Sequence, residues 1–437
     1  MRNTDRICEN IGVNEDGILL FAGQNAADLA NQYGTPLFLM DEDRIRDRMQ
    51  TYAKGMKDAF GDYGHVLYAS KAASFKRIYE LAAEEGIGVD VVSCGEIATA
   101  YRAGFPMEKT CFHSNNKTDE DSRYAMECGV GVFVVDNCEE LFAIDEIARE
   151  KGIVQPILLR ITPGIDPHTY AAVNTGMVDS KFGSAIETGQ AEQITKLTLT
   201  FSNIKLQGFH CHVGSQVFDS DVYLQSAEVM IAFIADMYEK LGFVTEKLDL
   251  GGGYGVRYTA DDPQIDIAAN IRQVGQTVKD LVARHNIPMP HIYMEPGRSI
   301  VADAGMTLYT MGSLKRIPGY KNYVSVDGGM TDNPRYILYG SRYTLLPATQ
   351  MLAERTMVCD VVGRCCESGD VIQENVMMPD TLLRGDLIAC LTTGAYNYSR
   401  ASKYNRIPRP PVVMLKNGTS YVAVKRETLE DITRLDV

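Results

Sequence analysis

Eight apolar segments that alternate with amphipathic stretches constrain the fold of this chain more than any other feature. Each segment is a near-continuous apolar run, such as 132–135, which is typical of parallel strands buried on both faces. Between two of them, Ile267, Ile271 and Val274 recur at three- and four-residue spacing, as the buried face of a helix requires. The predicted strands are 65–70, 88–93, 110–114, 130–136, 157–162, 206–213, 247–251 and 291–295, and the predicted helices are 73–86, 95–103, 119–128, 138–151, 221–241 and 266–285. Eight strands alternating with helices predict a closed (β/α)8 TIM barrel.

After residue 304 the helical periodicity nearly disappears. Short strands separated by Gly and Pro predict an all-β unit, at 306–311, 323–327, 357–361, 387–391, 411–415 and 420–425. A further apolar strand at 36–41 would be a ninth in the barrel, so we assign it to this second unit. The fold class is therefore α/β plus all-β. We expect a barrel over 43–303 and a β domain, sandwich- or barrel-like, formed by 1–42 and 304–437; two domains also suit a length of 437 residues.

Composition excludes several classes of partner. The net charge of −14 argues against nucleic acid and against anionic membrane surfaces. No apolar leader or transmembrane span stands out, and ten cysteines without a secretory signal are typical of reduced thiols. We therefore expect a cytoplasmic protein that acts on a small molecule.

Lys71 ends the first barrel strand, where catalytic residues of such barrels lie. If it is buried there, its ammonium loses hydration and its pKa falls, which makes the amine a nucleophile. A lysine of this kind forms Schiff bases with carbonyl compounds or with pyridoxal 5′-phosphate (PLP). Most lysines are simply solvated, so this residue alone is weak evidence.

Two other strand ends carry groups suited to a phosphorylated ring. Gly251, Gly252 and Gly253 follow one strand, where bare backbone N–H groups can contact a phosphate; a tight turn explains them equally well. Glu295 and Arg298 follow the last strand. A carboxylate can keep a pyridine nitrogen protonated and an arginine can bind a phosphate or carboxylate, although a salt bridge between them is the simpler interpretation.

His210 and His212 occupy alternate positions at the end of another strand, so a metal site has to be considered. No third ligand joins them in the sequence, and we predict no metal. His212 could stack on a planar ring with Ser215 on a phosphate, whereas His210, deeper in the strand, is expected to be a core histidine.

The second domain has its own polar candidates. Cys366 and Glu367 adjoin in a Gly- and Ser-containing loop, where a thiol could donate a proton, although cysteines are usually small buried hydrophobes. Arg335 and Tyr339 are four residues apart and would share a helical face suited to a carboxylate. Tyr396 offers a further hydroxyl.

Taken together and in this order, the motifs resemble the fold-type-III PLP-dependent decarboxylases, a group that also includes alanine racemase-like and ornithine decarboxylase-like proteins. The resemblance is greatest to the branch that acts on meso-diaminopimelate and extends from about Pro36 to Pro411. It rests on the segments Tyr68–Ala72, His113–Lys117, His210–Ser215, Gly251–Gly253, Glu295–Arg298, Cys366–Asp370 and Gly394–Tyr396.

The resemblance implies a role for each candidate. Lys71 would bind PLP covalently, His212 would stack on its ring and Glu295 would pair with the ring nitrogen. Cys366 would be the proton donor, with Lys71 as the alternative. The phosphate would be held by Ser215, Gly251, Gly252, Gly253 and Tyr396, and Gly297 and Arg298 would also contact the cofactor. The substrate would be bound by Arg298, Arg335, Tyr339, Glu367 and Tyr396. Cys366 and Glu367 would come from a partner subunit, which implies a homodimer with shared active sites.

The implied reaction is loss of the D-centre carboxylate from meso-diaminopimelate, giving L-lysine and CO2. An unpaired arginine in a closed site is unfavourable, so Arg335 favours a substrate with a distal carboxylate. The alternative is a PLP-dependent decarboxylase of another amino acid with a distal charge, such as ornithine, arginine, a carboxyamine or a carrier-bound substrate. A PLP-carrying regulatory protein and a cofactor-free lysine aldolase are further alternatives. Bound PLP would exclude the aldolase.

Overall fold

The computed structural model describes residues 6–166 and 176–437. The chain divides into two compact units. The barrel unit comprises Arg48–Gly255 and Gln264–Ser299, and the β unit comprises Met1–Asp47, Val256–Pro263 and Ile300–Val437. Within the described ranges, none of the helices has the length and apolar character needed to span a lipid bilayer.

The N-terminal segment begins with a small antiparallel sheet and leads into the barrel. Its elements are β1 (Ile11–Val13), β2 (Leu19–Phe21), β3 (Gln24–Asn25), α1 (Ala26–Tyr33), β4 (Leu37–Asp41) and α2 (Glu42–Phe60). Asn25 caps α1, because its side-chain oxygen accepts hydrogen bonds from the backbone N–H groups of Ala27 and Asp28. All five residues of β4 are buried, as its apolar sequence requires.

Eight parallel strands close into the predicted barrel. The strands of this unit are β5 (Gly64–Ala69), β6 (Gly88–Val91), β7 (Thr110–Phe112), β8 (Val132–Val135), β9 (Gln155–Thr162), β10 (Ser184–Ala185), β11 (Ile204–His210), β12 (Lys247–Asp249) and β13 (His291–Met294). The sheet order is β9-β11-β12-β13-β5-β6-β7-β8, and pairing of β8 with β9 closes it. β10 adds two residues alongside β9. The predicted fold class is confirmed.

Helices alternate with these strands: α3 (Lys76–Glu84), α4 (Cys94–Arg102), α5 (Asp119–Glu127), α6 (Cys138–Lys151), α7 (Gln190–Thr198), α8 (Asp221–Leu241) and α9 (Ile267–His285). The face of α9 predicted from its periodicity is buried, with Ile271, Val274 and Val278 fully inaccessible. The interior of the barrel contains a small apolar cluster, which consists of Leu67, Cys111, Val132, Val134 and Leu158.

The β unit continues with β14 (Gly305–Ile317), β15 (Lys321–Val326), β16 (Leu345–Pro347), β17 (Met357–Val362), β18 (Val371–Met378), β19 (Leu387–Leu391), β20 (Val412–Lys416) and β21 (Thr419–Val424), with the short helices α10 (Arg298–Val301), α11 (Arg335–Tyr339) and α12 (Leu429–Thr433). β4 lies between β14, with which it is antiparallel, and β20, with which it is parallel. The N-terminal strand therefore joins the second unit, as predicted.

One predicted helix boundary was wrong, and two elements were not predicted. A helix was expected from residue 73, but a 3-10 turn occupies Ser70–Ala72 and α3 begins at Lys76. The helix α7 and the strand β18 were not predicted at all. β18 contains Gln373, Glu374 and Asn375 in succession, which interrupts the apolar pattern of a strand.

Candidate active site

The turn that carries Lys71 is fixed by a tyrosine from the strand before it. The hydroxyl of Tyr68 donates to the carbonyl of Ala73 (2.9 Å) and accepts from its N–H (3.1 Å), which closes the 3-10 turn after β5. Ser70 and Ala72 are buried, whereas Lys71 is exposed. The expected burial of Lys71 is therefore wrong, because the turn directs its neighbours inward and leaves the lysine side chain accessible. Its place at the carboxyl end of a barrel strand is as predicted.

Glu96 lies next to this turn and was not singled out in the sequence. Its carboxylate accepts from the Ser70 hydroxyl (3.0 Å) and from the N–H of Val92 (2.8 Å). Burial, reinforced by the charge of Asp90, raises the pKa of Glu96 to about 7, even though Lys71 lowers it. A carboxyl group that titrates near neutral pH thus lies close to the candidate nucleophile.

The three glycines after β12 pack against backbone where no side chain would fit. A Cβ on Gly252 would lie 2.0 Å from the carbonyl oxygen of Glu295, and one on Gly253 would lie 2.2 Å from that of Gly214. Gly251 and Gly253 also have positive φ angles of 70° and 114°. The glycines are therefore required by the turn and by close packing, and they leave a bare backbone at the end of the strand.

Arg298 and Ser215 meet beside these glycines. The Nε and Nη2 of Arg298 donate to the Ser215 hydroxyl at 3.2 and 3.0 Å. Gly297 packs against the Lys71 turn, since a Cβ there would lie 2.9 Å from the carbonyl oxygen of Ala69. A buried guanidinium, a hydroxyl and bare backbone together form a surface suited to an anion such as a phosphate.

Glu295 lies between two histidines. Its Oε1 is 2.7 Å from Nε2 of His113, and its Oε2 is 3.2 Å from Nε2 of His210. The three side chains are buried, and the planes of the two imidazole rings are inclined by 68°, with centroids 4.7 Å apart. His210 is thus a buried histidine, as expected, but one that serves Glu295. The anticipated alternative, a salt bridge between Glu295 and Arg298, is not what fixes the carboxylate.

Electrostatics distinguish Glu295 from the carboxyl groups around it. Burial would raise the pKa of Glu295, but the charges and hydrogen bonds of His113 and His210 hold it well below its usual range. Burial together with the charge of Glu295 raises the pKa of Asp249 well above its usual range, and burial raises that of Asp90. Neighbouring buried carboxyl groups therefore have pKa values shifted in opposite directions, as in sites that assign separate acid and base roles.

His212 is held by the glycine loop. Its Nδ1 accepts a hydrogen bond from the N–H of Gly252 at 3.3 Å, which leaves the proton of the neutral ring on Nε2. Burial, together with the positive charges of Lys71 and Arg160, lowers the pKa of His212 well below its usual value. The ring is consequently neutral and fixed in orientation, which is the state best suited to stacking on another flat ring.

The barrel places a third candidate metal ligand beside the histidine that ends β11. In the sequence no third ligand joined the histidines, but the structure brings His113 and Glu295 to His210, with ligand atoms within 4.8 Å of one another. Two histidines and one carboxylate form a common metal-binding set. Here Nε2 of His210 is within hydrogen-bond distance of Oε2 of Glu295, and Nε2 of His113 lies 2.7 Å from Oε1. The absence of a metal stays a prediction.

In the β unit, Cys366 and Glu367 lie on an exposed loop with a fixed base. Asp370 accepts from the N–H groups of Met330 (2.6 Å) and Cys365 (2.7 Å), and Asn405 accepts from the N–H of Cys366 (2.8 Å). The side chains of Cys366 and Glu367 are accessible to solvent. A rigid base with exposed reactive side chains suits a loop that contributes to a neighbouring subunit.

Arg335 is more deeply placed than a surface arginine. It is buried, donates to the Tyr343 hydroxyl (2.7 Å) and to Ser341 (3.2 Å), and lies 4.6 Å from the ring centroid of Tyr258. Burial would lower its pKa, but the surrounding tyrosines raise it, so the guanidinium remains charged. Within the part of the chain that the structure describes, none of these contacts of Arg335 is with a carboxylate.

Tyr339 shares α11 with Arg335, as predicted, but its hydroxyl accepts a hydrogen bond from Arg400. The Arg400 guanidinium also lies 5.1 Å from the ring of Tyr339 and 5.4 Å from that of Tyr396. Arg400 is exposed and was missed in the sequence, where nothing except its four-residue spacing from Tyr396 marks it. The structure therefore groups the two predicted tyrosines around an arginine other than Arg335.

Four further residues of the barrel site were assigned no role from the sequence: Asp90, His113, Arg160 and Asp249. Each is a single polar residue in or directly after an apolar strand. A charged side chain inside such a strand was the available signal, because it needs a partner that only the closed barrel supplies.

Comparison with known proteins agrees with this geometry. Residues 42–302 match the family described as "Pyridoxal-dependent decarboxylase, pyridoxal binding domain". The chain is 44% identical, over 97% of its length and 96% of the relative, to the diaminopimelate decarboxylase of Bacillus subtilis. The crystal structure of diaminopimelate decarboxylase from M. jannaschii in complex with L-lysine superposes with a TM-score of 0.88, at 30% identity and 98% coverage of both chains.

A decarboxylase of different specificity is structurally more distant. The lysine/ornithine decarboxylase of Vibrio vulnificus, in complex with putrescine, gives a TM-score of 0.73 at 25% identity, over 90% of this chain and 97% of that one. The full-length identity and the higher structural similarity are both to the diaminopimelate branch. The chain belongs to the pyridoxal-dependent decarboxylases, within the group of diaminopimelate decarboxylases.

Proposed function

We propose that this protein removes the D-centre carboxylate of meso-diaminopimelate to give L-lysine and CO2, with PLP as cofactor. The observation that supports this most is the buried, ionised Glu295 held by two histidines at the end of the barrel that also carries Lys71. Identity of 44% to a named diaminopimelate decarboxylase over nearly the whole chain supports the choice of substrate.

The residues of the barrel unit fit PLP. Oε1 of Glu295 and Nε2 of His113 are buried and close, but their alignment leaves neither with a completed hydrogen bond. Glu295 can therefore accept from a protonated ring nitrogen. The bare backbone of Gly251–Gly253, with Arg298 and Ser215, suits the phosphate, and the neutral ring of His212 suits the ring face. When bound, PLP withdraws the electron pair left by the departing CO2.

The chain's own residues would then have distinct tasks. Lys71 would hold the cofactor through its amine, and Glu295, kept ionised by His113 and His210, would keep a proton on the ring nitrogen. His212 would fix the plane of the ring, because its own orientation is set by Gly252. Cys366 would return a proton to the reacting carbon, as the resemblance implies.

Substrate recognition is assigned to charged side chains. Glu367, exposed on its loop, would bind the distal ammonium, and Arg298 and Arg335 would bind the distal carboxylate with Tyr339 and Tyr396. The contacts of Tyr339 and Tyr396 with Arg400 extend this proposal, since Arg400 adds an exposed cation at the same tyrosines. A substrate without a distal carboxylate would offer Arg335 and Arg400 no anion.

We further propose that the working unit is a homodimer with Cys366 and Glu367 supplied by the partner subunit. Their exposure, on a loop fixed by Asp370, supports this. The cytoplasmic location expected from the sequence stays a prediction.

The test is CO2 release by the PLP-loaded protein from meso-diaminopimelate, L-ornithine, L-arginine and L-lysine. Release from meso-diaminopimelate alone, with L-lysine as the product, is the expected result. Release from ornithine or arginine at comparable rates would contradict the substrate assignment and leave the decarboxylase chemistry intact. No release from any of the four by PLP-loaded protein would contradict both.

A further inference from the structure

The barrel unit contains a cavity of about 560 Å³ at the end opposite to Lys71 and Glu295. Its lining includes the first residue of five barrel strands: Gly64, Gly88, Thr110, Val132 and Lys247. The amino-terminal end of such a barrel is ordinarily a packed, structural face, and catalytic residues lie at the carboxyl end. A cavity of this size at that end falls in the range of small-molecule binding sites.

The floor of the cavity is apolar. Leu67, Cys111, Val132 and Leu158 line it, and all four belong to the buried cluster inside the barrel. At Gly88 the cavity wall consists of backbone alone, because a Cβ there would lie 2.5 Å from Cδ2 of Leu67. The cavity therefore offers a ligand an apolar surface already shielded from water.

One wall is aromatic. The rings of His65 and Tyr293 stack at 4.6 Å with 22° between their planes, and both line the cavity. Nε2 of His65 lies 2.9 Å from Nδ1 of His291, so one imidazole donates its N–H to the other. Burial, with the positive charges of His291 and Lys247, lowers the pKa of His65 to about 4. This wall is neutral near pH 7.

Lys247 is the half-buried cation of the cavity, and no ion pair is found for it among the described residues. Its Nζ lies 5.8 Å from the ring centroid of Tyr293, and its burial lowers its pKa. The carboxylate next to it in sequence, Glu246, pairs with Lys205 at 2.9 Å. Over residues 6–166 and 176–437, no carboxylate lies within ion-pair distance of Lys247.

The charged residues at the opening of the cavity do not supply an anion for Lys247. Two exposed lysines and two exposed acidic residues surround the opening and offset each other, namely Lys57, Lys109, Asp62 and Glu108. Glu85, also at the rim, accepts a hydrogen bond from the side-chain amide of Gln50 (2.9 Å). A cation removed from water and left without an anion costs free energy that an anionic ligand would offset.

We propose that this cavity binds a small molecule in which one carboxylate is attached to an apolar body. The carboxylate would pair with Lys247, and the body would lie against Leu67, Val132 and Leu158. This inference does not rest on the proposed decarboxylation, because the cavity shares no residue with the groups assigned to it.

The probe is 2-naphthoate, titrated calorimetrically into the PLP-loaded full chain, with the uncharged 2-naphthylmethanol as its counterpart. We expect saturable binding of one naphthoate per chain and weaker binding of the alcohol. Lys247→Met should weaken naphthoate binding about 10-fold or more, as loss of a charge-assisted contact predicts. Lys247→Arg should retain it. Lys205→Met, which removes an exposed lysine already paired with Glu246, is the matched control and should change nothing.

A second variant separates this cavity from the catalytic end. Val132→Phe should place an aromatic ring in the apolar floor of the cavity and weaken naphthoate binding. Decarboxylation and the thermal unfolding midpoints of the variants should show that the chains are folded. Naphthoate that binds Lys247→Met or Val132→Phe as tightly as the wild type would overturn the proposal. So would the absence of saturable binding, or equal affinity for the alcohol.

Discussion

Glu295 Oε1 lies 2.7 Å from His113 Nε2 inside the barrel, and this contact, together with that of His210 to the other carboxylate oxygen, holds the pKa of Glu295 well below its usual range. Asp249 shows the opposite effect: it is also buried, and burial together with the charge of Glu295 raises its pKa. The two buried carboxyl groups are therefore shifted in opposite directions, and the position of the histidines decides which of them favours its charged form.

Replacing Glu295 by Gln should lower kcat by on the order of 100-fold, because an amide cannot hold a proton on the ring nitrogen as an anion does. PLP should remain bound, since Lys71 and the anion-binding surface are unchanged. The measurement is kcat together with the visible absorbance of bound PLP. Glu246→Gln, at an exposed glutamate of the same unit, is the control. A variant with normal kcat would exclude the role of Glu295.

Replacing Lys71 by Ala should abolish turnover and covalent attachment of the cofactor. Borohydride reduction followed by mass spectrometry of the digested protein should find the PLP adduct on the peptide with Lys71 in the wild type, and no adduct in the variant. Lys76→Ala changes an exposed lysine five residues further on and should leave both properties intact. An adduct on any other lysine would refute the assignment.

The barrel could be predicted from the sequence because its strands are buried on both faces. Val132–Val135 is apolar throughout, so its identity as a strand needed no knowledge of its neighbours. Glu295 was identified for a similar reason: a carboxylate directly after an apolar strand stands out. The exposure of Lys71 could not be predicted, since it follows from the Tyr68 hydroxyl closing a 3-10 turn.

The partners of Glu295 were not identified because they are far apart in the chain. His113 and His210 follow or end different strands, and only closure of the barrel brings them to the same carboxylate. His113 carries no local signal that distinguishes it from a core histidine. Arg400 was missed for a comparable reason, because its contacts with Tyr339 depend on the fold of the β unit.

If active sites are shared between subunits, two inactive variants should restore activity when their subunits exchange. A heterodimer of Lys71→Ala and Cys366→Ala would contain one site with both defects and one site with neither. Random exchange at equal amounts gives half heterodimers, so roughly a quarter of the wild-type activity should return. The measurement is CO2 release before and after exchange, with exchange verified by native mass spectrometry. Activity equal to the mean of the two parents would contradict a shared site.

His65 should make the protein less stable in acid. Its folded-state pKa of about 4 lies below its ordinary value of 6.5, so the unfolded chain binds more protons between these values. The contribution of His65 to stability is therefore complete above about pH 6.5 and is lost as pH falls through about 4.

Replacing His65 by Asn should remove this dependence. The free energy of unfolding should then decrease between pH 7 and 4.5 by about 1–2 kcal/mol less than in the wild type, a modest difference because the residue is only half-buried. Urea unfolding at each pH measures it. His285→Asn changes an exposed histidine at the end of α9 and should leave the wild-type slope. In the His65 variant, the charge that burial, His291 and Lys247 disfavour at this position can no longer form. If this variant keeps the full acid sensitivity of the wild type, the destabilising protonation occurs at another residue.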